Sequence, residues 1–269
     1  MKSVAVVYLS RRGNPARMSR GFLQSLAANP AGSEFELIFL LKGFSAEESD
    51  PEFDRLKSTL RDRASLVRIS DEGFDLNAYR KVSAGLAHER ILFLNSHSRI
   101  LAPAWLRHYL NAFDRIGNCG VVGATGSFET IPGTTFPNIT IRTNAFMMDR
   151  ELFLDLDPGQ LATKPDANRF EAGAASLTAQ LLQRGLQPVV VDRNGRAWLH
   201  EEWPLSATFR SGQQEGLLVA DNRTHDYDRS SLRRRRKLAR LAWGDAASPP
   251  RAPVLRRLQS ELAWRWPRA

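Results

Sequence analysis

Residues 71–100 read DEGFDLNAYRKVSAGLAHERILFLNSHSRI, and the fold turns on how this stretch is parsed. A polar loop leads into a helix over 76–88. An apolar run over 90–94 has the length and composition of a buried strand. A cluster of small polar residues, Asn95-Ser96-His97-Ser98, follows at the strand's end. Toward the N-terminus the same alternation recurs. Strands are predicted over 4–9, 36–41 and 65–69. Helices are predicted over 15–28, with Met18, Phe22, Leu23 and Leu26 at helical spacing, and over 52–63. Strands alternating with helices predict an α/β fold, a mostly parallel sheet with helices on both faces. Such sheets bind ligands beyond the carboxyl ends of their strands. That directs attention to Arg11, to 42–43, to 70–75 and to 95–99.

Beyond residue 100 the pattern loosens. The spacing predicts a helix over 104–114, a strand near Val121 and an irregular loop over 126–138. A strand over 139–147, a short helix over 149–154, a helix over 172–184 ended by Gly185, and a strand over 188–191 follow. Gly120, Gly123 and Gly126 echo a dinucleotide-binding turn. That turn should close the first strand of a βαβ unit and open a helix, whereas here Pro132 and Gly133 follow. A strand end that tolerates glycine is the better reading.

The chain has 269 residues, of which 42% are hydrophobic and 25% charged, as in ordinary globular proteins. Its one cysteine, Cys119, excludes a disulfide framework and a multi-thiolate metal site. No apolar run approaches the roughly 20 residues of a membrane-spanning helix. The opening MKSVAVVYLSRRGN lacks a signal-peptide core, so a cytoplasmic setting is expected. The net charge of +9 is unevenly placed. Residues 229–269 hold twelve Lys/Arg against two acids, a net of +10, which leaves −1 for the other 228 residues. A neutral body with a cationic tail is not the charge pattern of a nucleic-acid enzyme, which is basic around its cleft. Nucleic acid is therefore not the expected partner. The expected organisation is a domain over 1–228 and a basic helical C-terminal extension over 229–269.

The order loop, small-residue helix (Ala78, Tyr79, Arg80, Ser83, Gly85), strand RILFL and polar terminus resembles family-2 glycosyltransferases of the GT-A fold over about 1–228. The resemblance implies transfer of a sugar from a nucleotide-sugar donor to a hydroxyl of a carbohydrate or lipid-linked acceptor, with inversion, in surface polysaccharide or glycolipid synthesis. The family places an Asp-x-Asp motif where this chain has Asn95-Ser96-His97, and that motif holds a divalent cation on the donor's diphosphate. Asn95 and His97 leave three alternatives. One is a weaker Mn2+ or Mg2+ site, with His225 as a third ligand. Another is a cation-free site in which Arg11, Lys42 and Arg80 offset the diphosphate. The third is a catalytically degenerate domain acting as a binding or scaffold protein.

The resemblance also implies roles for single residues. Asp75 and Tyr79, one helical turn apart, fall where the family contacts the nucleotide; as local features they are a helix cap and a core aromatic. Glu171 falls where inverting members carry the general base, with Asp166 as second choice; locally, Glu171 is a helix-start carboxylate. Arg142 and Asn144 flank that site as acceptor-binding candidates, or stand on a solvated strand edge.

Residues 231–243, SLRRRRKLARLAW, predict a basic helix broken by Pro249, Pro250 and Pro253. Leu238, Leu241 and Trp243 form a narrow apolar stripe beside a broad cationic face. Such a helix suits an anionic membrane surface, and the expected location is therefore cytoplasmic, peripheral on the inner face. Packing on the domain, or contact with RNA or DNA, are the other readings.

Overall fold

Alternate residues of the first strands point to opposite sides, and both sides are buried. Val4, Val6 and Tyr8 belong to one core cluster with Leu37, Phe39 and Leu41. Ala5, Val7 and Leu9 belong to a second with Ile38 and Leu40. Strands buried on both faces read as near-continuous apolar runs, which is why VAVVYL and ELIFLL were legible.

The computed structural model describes residues 3–44 and 50–248. The elements run β1 Val4–Arg11, α1 Arg17–Ala28, β2 Glu36–Lys42, α2 Pro51–Leu60, β3 Ser65–Ile69, α3 Asp75–Ala84, β4 Arg90–Leu94, β5 Arg99–Ile100 and α4 Trp105–Arg115. Then come β6 Cys119–Gly123, β7 Gly126–Ser127, β8 Thr140–Ile141, β9 Ala145–Asp149, α5 Arg150–Asp155, α6 Lys164–Ala172, α7 Leu177–Gln183 and β10 Gln187–Val191. The last are β11 Ala197–Trp198, β12 Val219–Ala220, α8 Asn222–Arg229 and α9 Leu232–Trp243. The main sheet has eight strands in the order β11-β10-β6-β9-β4-β1-β2-β3. β3, β2, β1 and β4 are mutually parallel, as are β6 and β10. β9 runs antiparallel between β4 and β6, and β11 antiparallel on the edge. Helices α1, α2 and α4 cover the first core, and α3, α5, α6, α7 and α9 the second. The expected mostly parallel α/β sheet with helices on both faces is what the chain forms.

Three departures bear on the site. The strand expected over 139–147 is two strands: β8 pairs with β7 and β9 with β4, with Arg142-Thr143-Asn144 forming the break. The helix expected over 172–184 is likewise two, α6 and α7, parted at Gly173. A capping box between Thr163 and Asp166 starts α6 eight residues earlier than expected. Finally, the glycines of GVVGATGS make room for neighbours instead of a cofactor. A Cβ on Gly126 would stand 2.4 Å from the Trp203 ring, and one on Gly123 2.7 Å from Ile141.

Helix α9, beyond residue 228, packs on the sheet domain. Trp243 and Ala242 belong to the second core, Trp243 Nε1 donates to the Phe209 carbonyl at 2.7 Å, and its ring meets Phe128 edge-on. Arg235 turns inward and donates to the Tyr227 carbonyl and to Gln213. The expected apolar stripe is thereby divided: Trp243 is buried and Leu238 half-buried, while Leu241 stays exposed. Residues 249–269, with the three prolines and the second basic segment, lie outside the described residues.

Candidate active site

The carboxyl ends of β3 and β4 and the start of antiparallel β9 meet at one edge of the sheet, because Leu94 pairs with Ala145. The turn after β4 is tied down there from several sides. Asn95 N–H donates to the Asn144 carbonyl at 3.0 Å, Ser98 Oγ to the same carbonyl at 3.1 Å, and Tyr8 Oη to the Ser96 carbonyl at 2.9 Å. The break between β8 and β9 is stitched to Thr125: Arg142 N–H donates to its carbonyl, and its hydroxyl donates to Asn144 Oδ1 at 3.0 Å. These bonds hold open a cleft of about 330 Å³. Its walls are Asp75 at the start of α3, Asn95, Arg142-Thr143-Asn144, the loop 129–131, Asn168 and Glu171 of α6, and Asp221-Asn222-Arg223 at the start of α8.

The cleft's charges divide into satisfied and unsatisfied ones. Arg142 donates to Asp221 at 3.2 Å and lies over the Phe209 ring, 4.3 Å from its centroid. Asp221 is simultaneously the cap of α8, accepting from Thr224 N–H at 2.8 Å. Glu129 receives both bonds of the Arg210 guanidinium at 2.8 Å. Asp75 and Glu171 have no cationic partner among the described residues. Glu171, which lines the cleft, accepts at Oε1 from the Thr143 hydroxyl, and this bond orients the carboxylate. Burial, and then the charge of Glu171, push the Asp75 carboxyl up to about 6. Further polar atoms are buried with no partner among the described residues, among them the Tyr79 hydroxyl, Arg142 Nε and Asn144 Nδ2, the last on a residue only 5% exposed. Buried polar groups are nearly always satisfied, so a donor such as Asn144 Nδ2 at a cleft wall is poised for a ligand oxygen.

The expected site residues fall into two groups. Asp75, Asn95, Arg142, Asn144 and Glu171 converge on the cleft. Asp75 does not cap α3, whose cap position is Phe74, so its carboxyl is free for the cleft. Glu171 sits in the last turn of α6, where the helix dipole disfavours a carboxylate, so the helix-start account does not apply.

The others are placed elsewhere. Asp166 is the buried partner of Thr163 in the capping box, its carboxyl held low by bonds from Thr163; it does not line the cleft. Tyr79 is wholly buried, its ring 4.7 Å from that of Phe93, and offers no face for stacking on a base. Arg80 donates to the Phe153 and Leu154 carbonyls at 2.7 and 2.8 Å, on α5. Arg11 and Lys42 do meet at the carboxyl edge, but both are claimed by Asp71. Arg11 binds its two oxygens at 2.9 Å, and Lys42 Nζ donates to Oδ1 at 2.9 Å and to the carbonyl at 2.6 Å. These two cations hold Asp71 down to about 2.

The expected cation ligands are Asn95, His97 and His225. The Asn95 amide oxygen, the expected ligand, accepts from His97 N–H at 3.0 Å and Ser98 Oγ at 3.2 Å and is closed into its own turn. His97 lies within the field of Asp221 but outside the cleft lining, and burial lowers its pKa. His225 is a turn further along α8, also lowered by burial. Among the described residues no three His, Cys, Asp or Glu side chains are grouped so that they could hold a metal ion.

Thr143, Glu129, Asp221, Arg223 and Asn168 were not expected at the site, and Asp71 was expected only as part of the strand-end stretch 70–75. Asp221 carried a signal, since Asp-x-x-Thr before a polar helix is a capping pattern. The Glu129–Arg210 pair joins residues 81 positions apart and had none.

These features define an α/β protein with a polar cleft, two of whose carboxylates lack a cationic partner, at the carboxyl edge of a mostly parallel sheet. No family model matches the sequence, and no curated protein does. Among solved structures, the chain is similar to a mannosyltransferase from Pyrobaculum calidifontis in complex with GDP-Man and Mn2+. Identity is 12% and the TM-score 0.47, over 70% of this chain and 54% of that one. It is also similar to S. aureus TarS, at 14% identity and a TM-score of 0.43, over 61% of this chain and 32% of that one. A structure of TarS residues 1–349 gives 14% and 0.44, over 61% and 53%. The chain thus spans about half or less of the length of these three structures. No helix among the described residues is long and apolar enough to cross a membrane.

Proposed function

We propose that this chain is a glycosyltransferase of GT-A type that moves a sugar from a nucleotide-sugar donor to an acceptor hydroxyl with inversion. The observation that carries the reading is the pair Asp75 and Glu171, two carboxylates without cations in one cleft beyond the strand ends. Glu171, oriented by Thr143, is the proposed base. Its carboxylate takes the proton of the acceptor hydroxyl, the acceptor oxygen bonds to the anomeric carbon from one side, and the nucleoside diphosphate leaves from the other. Asn144 Nδ2 donates to a hydroxyl of the sugar or acceptor, and Asp75 binds sugar hydroxyls next to the base. The donor's nucleotide runs along the edge formed by Arg11, Lys42 and Asn95–His97, where Arg11 is the exposed cation. An acceptor in surface polysaccharide or glycolipid synthesis is part of the proposal and rests on the family resemblance.

A second reading, a binding domain without turnover, is favoured by one observation: the Asn95 oxygen is committed to its own turn. Titration with a panel of nucleotide sugars, with and without Mn2+, followed by turnover assays, separates the two. Glu171→Gln keeps the shape and removes the proton acceptor. Turnover should fall by roughly 10²–10⁴ while donor affinity holds. Activity within a few-fold of the parent refutes Glu171 as base, and donor binding with no turnover by the parent supports the binding domain.

A further inference from the structure

Helix α9 divides its basic residues cleanly. Arg235 turns inward with Ala239, Ala242 and Trp243, while Arg233, Arg234, Arg236, Lys237 and Arg240 all stand exposed on the other side. Leu241 lies among them, 46% exposed, one turn from Lys237, and Leu232 is exposed at the helix start. Only two of the five cations have an acidic neighbour among the described residues. Arg234 meets Asp226 at 3.2 Å and Arg240 meets Asp245 at 3.5 Å, both solvent-exposed pairs that hold weakly. Arg233, Arg236 and Lys237 have none.

A soluble helix gains nothing from stacking five cations on one face, since like charges a turn apart repel. The sequence beyond the described residues continues in the same sense, with Arg251, Arg256, Arg257, Arg265 and Arg268 against Glu261, and Trp264 and Trp266 nearby.

We propose that the outward face of α9 is a docking surface for an anionic lipid bilayer. Charge complementarity selects an anionic partner. The exposed Leu241 set among the cations selects a bilayer over a phosphate backbone, because a headgroup layer accepts an apolar side chain and a duplex exterior does not. The helix is rigidly joined to the cleft. Phe128 N–H donates to the Ala242 carbonyl at 2.9 Å, and the Phe128 ring packs on Trp243, one residue from Glu129 of the cleft wall. A bilayer bound to α9 is therefore held at a fixed offset from the cleft. With the apolar stripe split by burial of Trp243, contact is led by charge and only shallowly inserted. The surface stands without the glycosyl-transfer reading. Only its consequence, delivery of a lipid-linked acceptor to the cleft, rests on that reading.

The test uses the full chain and no activity readout. Sedimentation is measured with vesicles of phosphatidylcholine alone and with phosphatidylserine added, for the parent and for a combined Arg233→Gln, Arg236→Gln, Lys237→Gln, Leu241→Ser variant. These four side chains are exposed, and circular dichroism checks that the variant is folded. The parent should bind the anionic vesicles selectively, the variant at least about tenfold more weakly. Parent binding should fade as salt rises from about 0.1 to about 0.5 M, since exposed charges are screened. The salt series on the parent alone keeps the proposal testable if the variant misfolds. Equal binding to neutral and anionic vesicles, a variant as tight as the parent, salt-insensitive binding, or stronger binding to short duplex DNA than to anionic vesicles would each overturn it.

Discussion

Replacing Asp75 with Asn should make the protein more stable at neutral pH. Asp75 lies at the start of α3, half-buried in the cleft, with Glu171 facing it and no cation of its own. Lys42 and Arg11 act on it only from a distance, both being bound to Asp71. Raising a carboxyl from an ordinary 3.8 to about 6 means that its ionised form is disfavoured by about 3 kcal/mol in the folded protein. Asn keeps the shape and removes the charge. Against this, a negative charge in the first turn of α3 is favourable by about 0.3–1 kcal/mol, which the variant forgoes. The net gain is about 2 kcal/mol, or roughly 4–8 °C in Tm for a chain of this size. The pH dependence is specific. A carboxyl whose folded pKa lies above its unfolded value contributes stability below about pH 4 and loses it as pH rises through about 6. Parent and variant should therefore unfold alike near pH 4 and diverge between pH 4 and 7, which urea titrations along a pH series would follow. A variant no more stable than the parent at pH 7.5, or an advantage independent of pH, would refute the reasoning. If Asp75 binds substrate, the stabilised variant should also lose activity, as expected where a site retains a costly charge.

Trp243→Ala should cost about 3–5 kcal/mol in urea unfolding, since it empties a fully buried site against Phe128 and releases the Phe209 carbonyl. A cost below about 1 kcal/mol would mean that α9 is not part of the folded core. Asp71→Ala strands the buried Lys42 ammonium with a single backbone carbonyl, and about 1–2 kcal/mol should be lost. Because Asp71 is held down to about 2, its contribution should be present above about pH 4 and vanish as pH falls toward 2. A parent and variant that lose stability in parallel over that range would count against the pair.

How far the site was legible varies residue by residue. Glu171, Asp75, Asn95, Arg142 and Asn144 were named from sequence and do share one cleft. Tyr79 and Arg80 were named with them and do not. Both sit on α3, one position apart, and helical periodicity alone cannot say which side of α3 meets the cleft edge and which meets Phe93 or α5. Arg11 and Lys42 were correctly placed at strand ends. Their availability depended on Asp71, whose carboxylate had to be brought from the end of β3 across two strands.

What the sequence determined by itself was everything that depends on neighbours within a few residues. The strands of the first half, their helices, the Gly185 stop and the basic helix near the C-terminus follow from periodicity and capping, which act at short range. Tertiary structure decided the rest. The alternation over 139–147 suits one strand, and only the separate partners β7 and β4 break it at 142–144, the break that carries the site. In α9 the stripe of Leu238, Leu241 and Trp243 is apolar on paper, yet the pocket between Phe128 and Phe209 takes only Trp243 and leaves Leu241 outside with the arginines. The cleft itself joins Asp75, Thr143, Glu171 and Asp221, positions far apart along the chain. Their charges acquire partners, or fail to, only once the sheet has set them side by side.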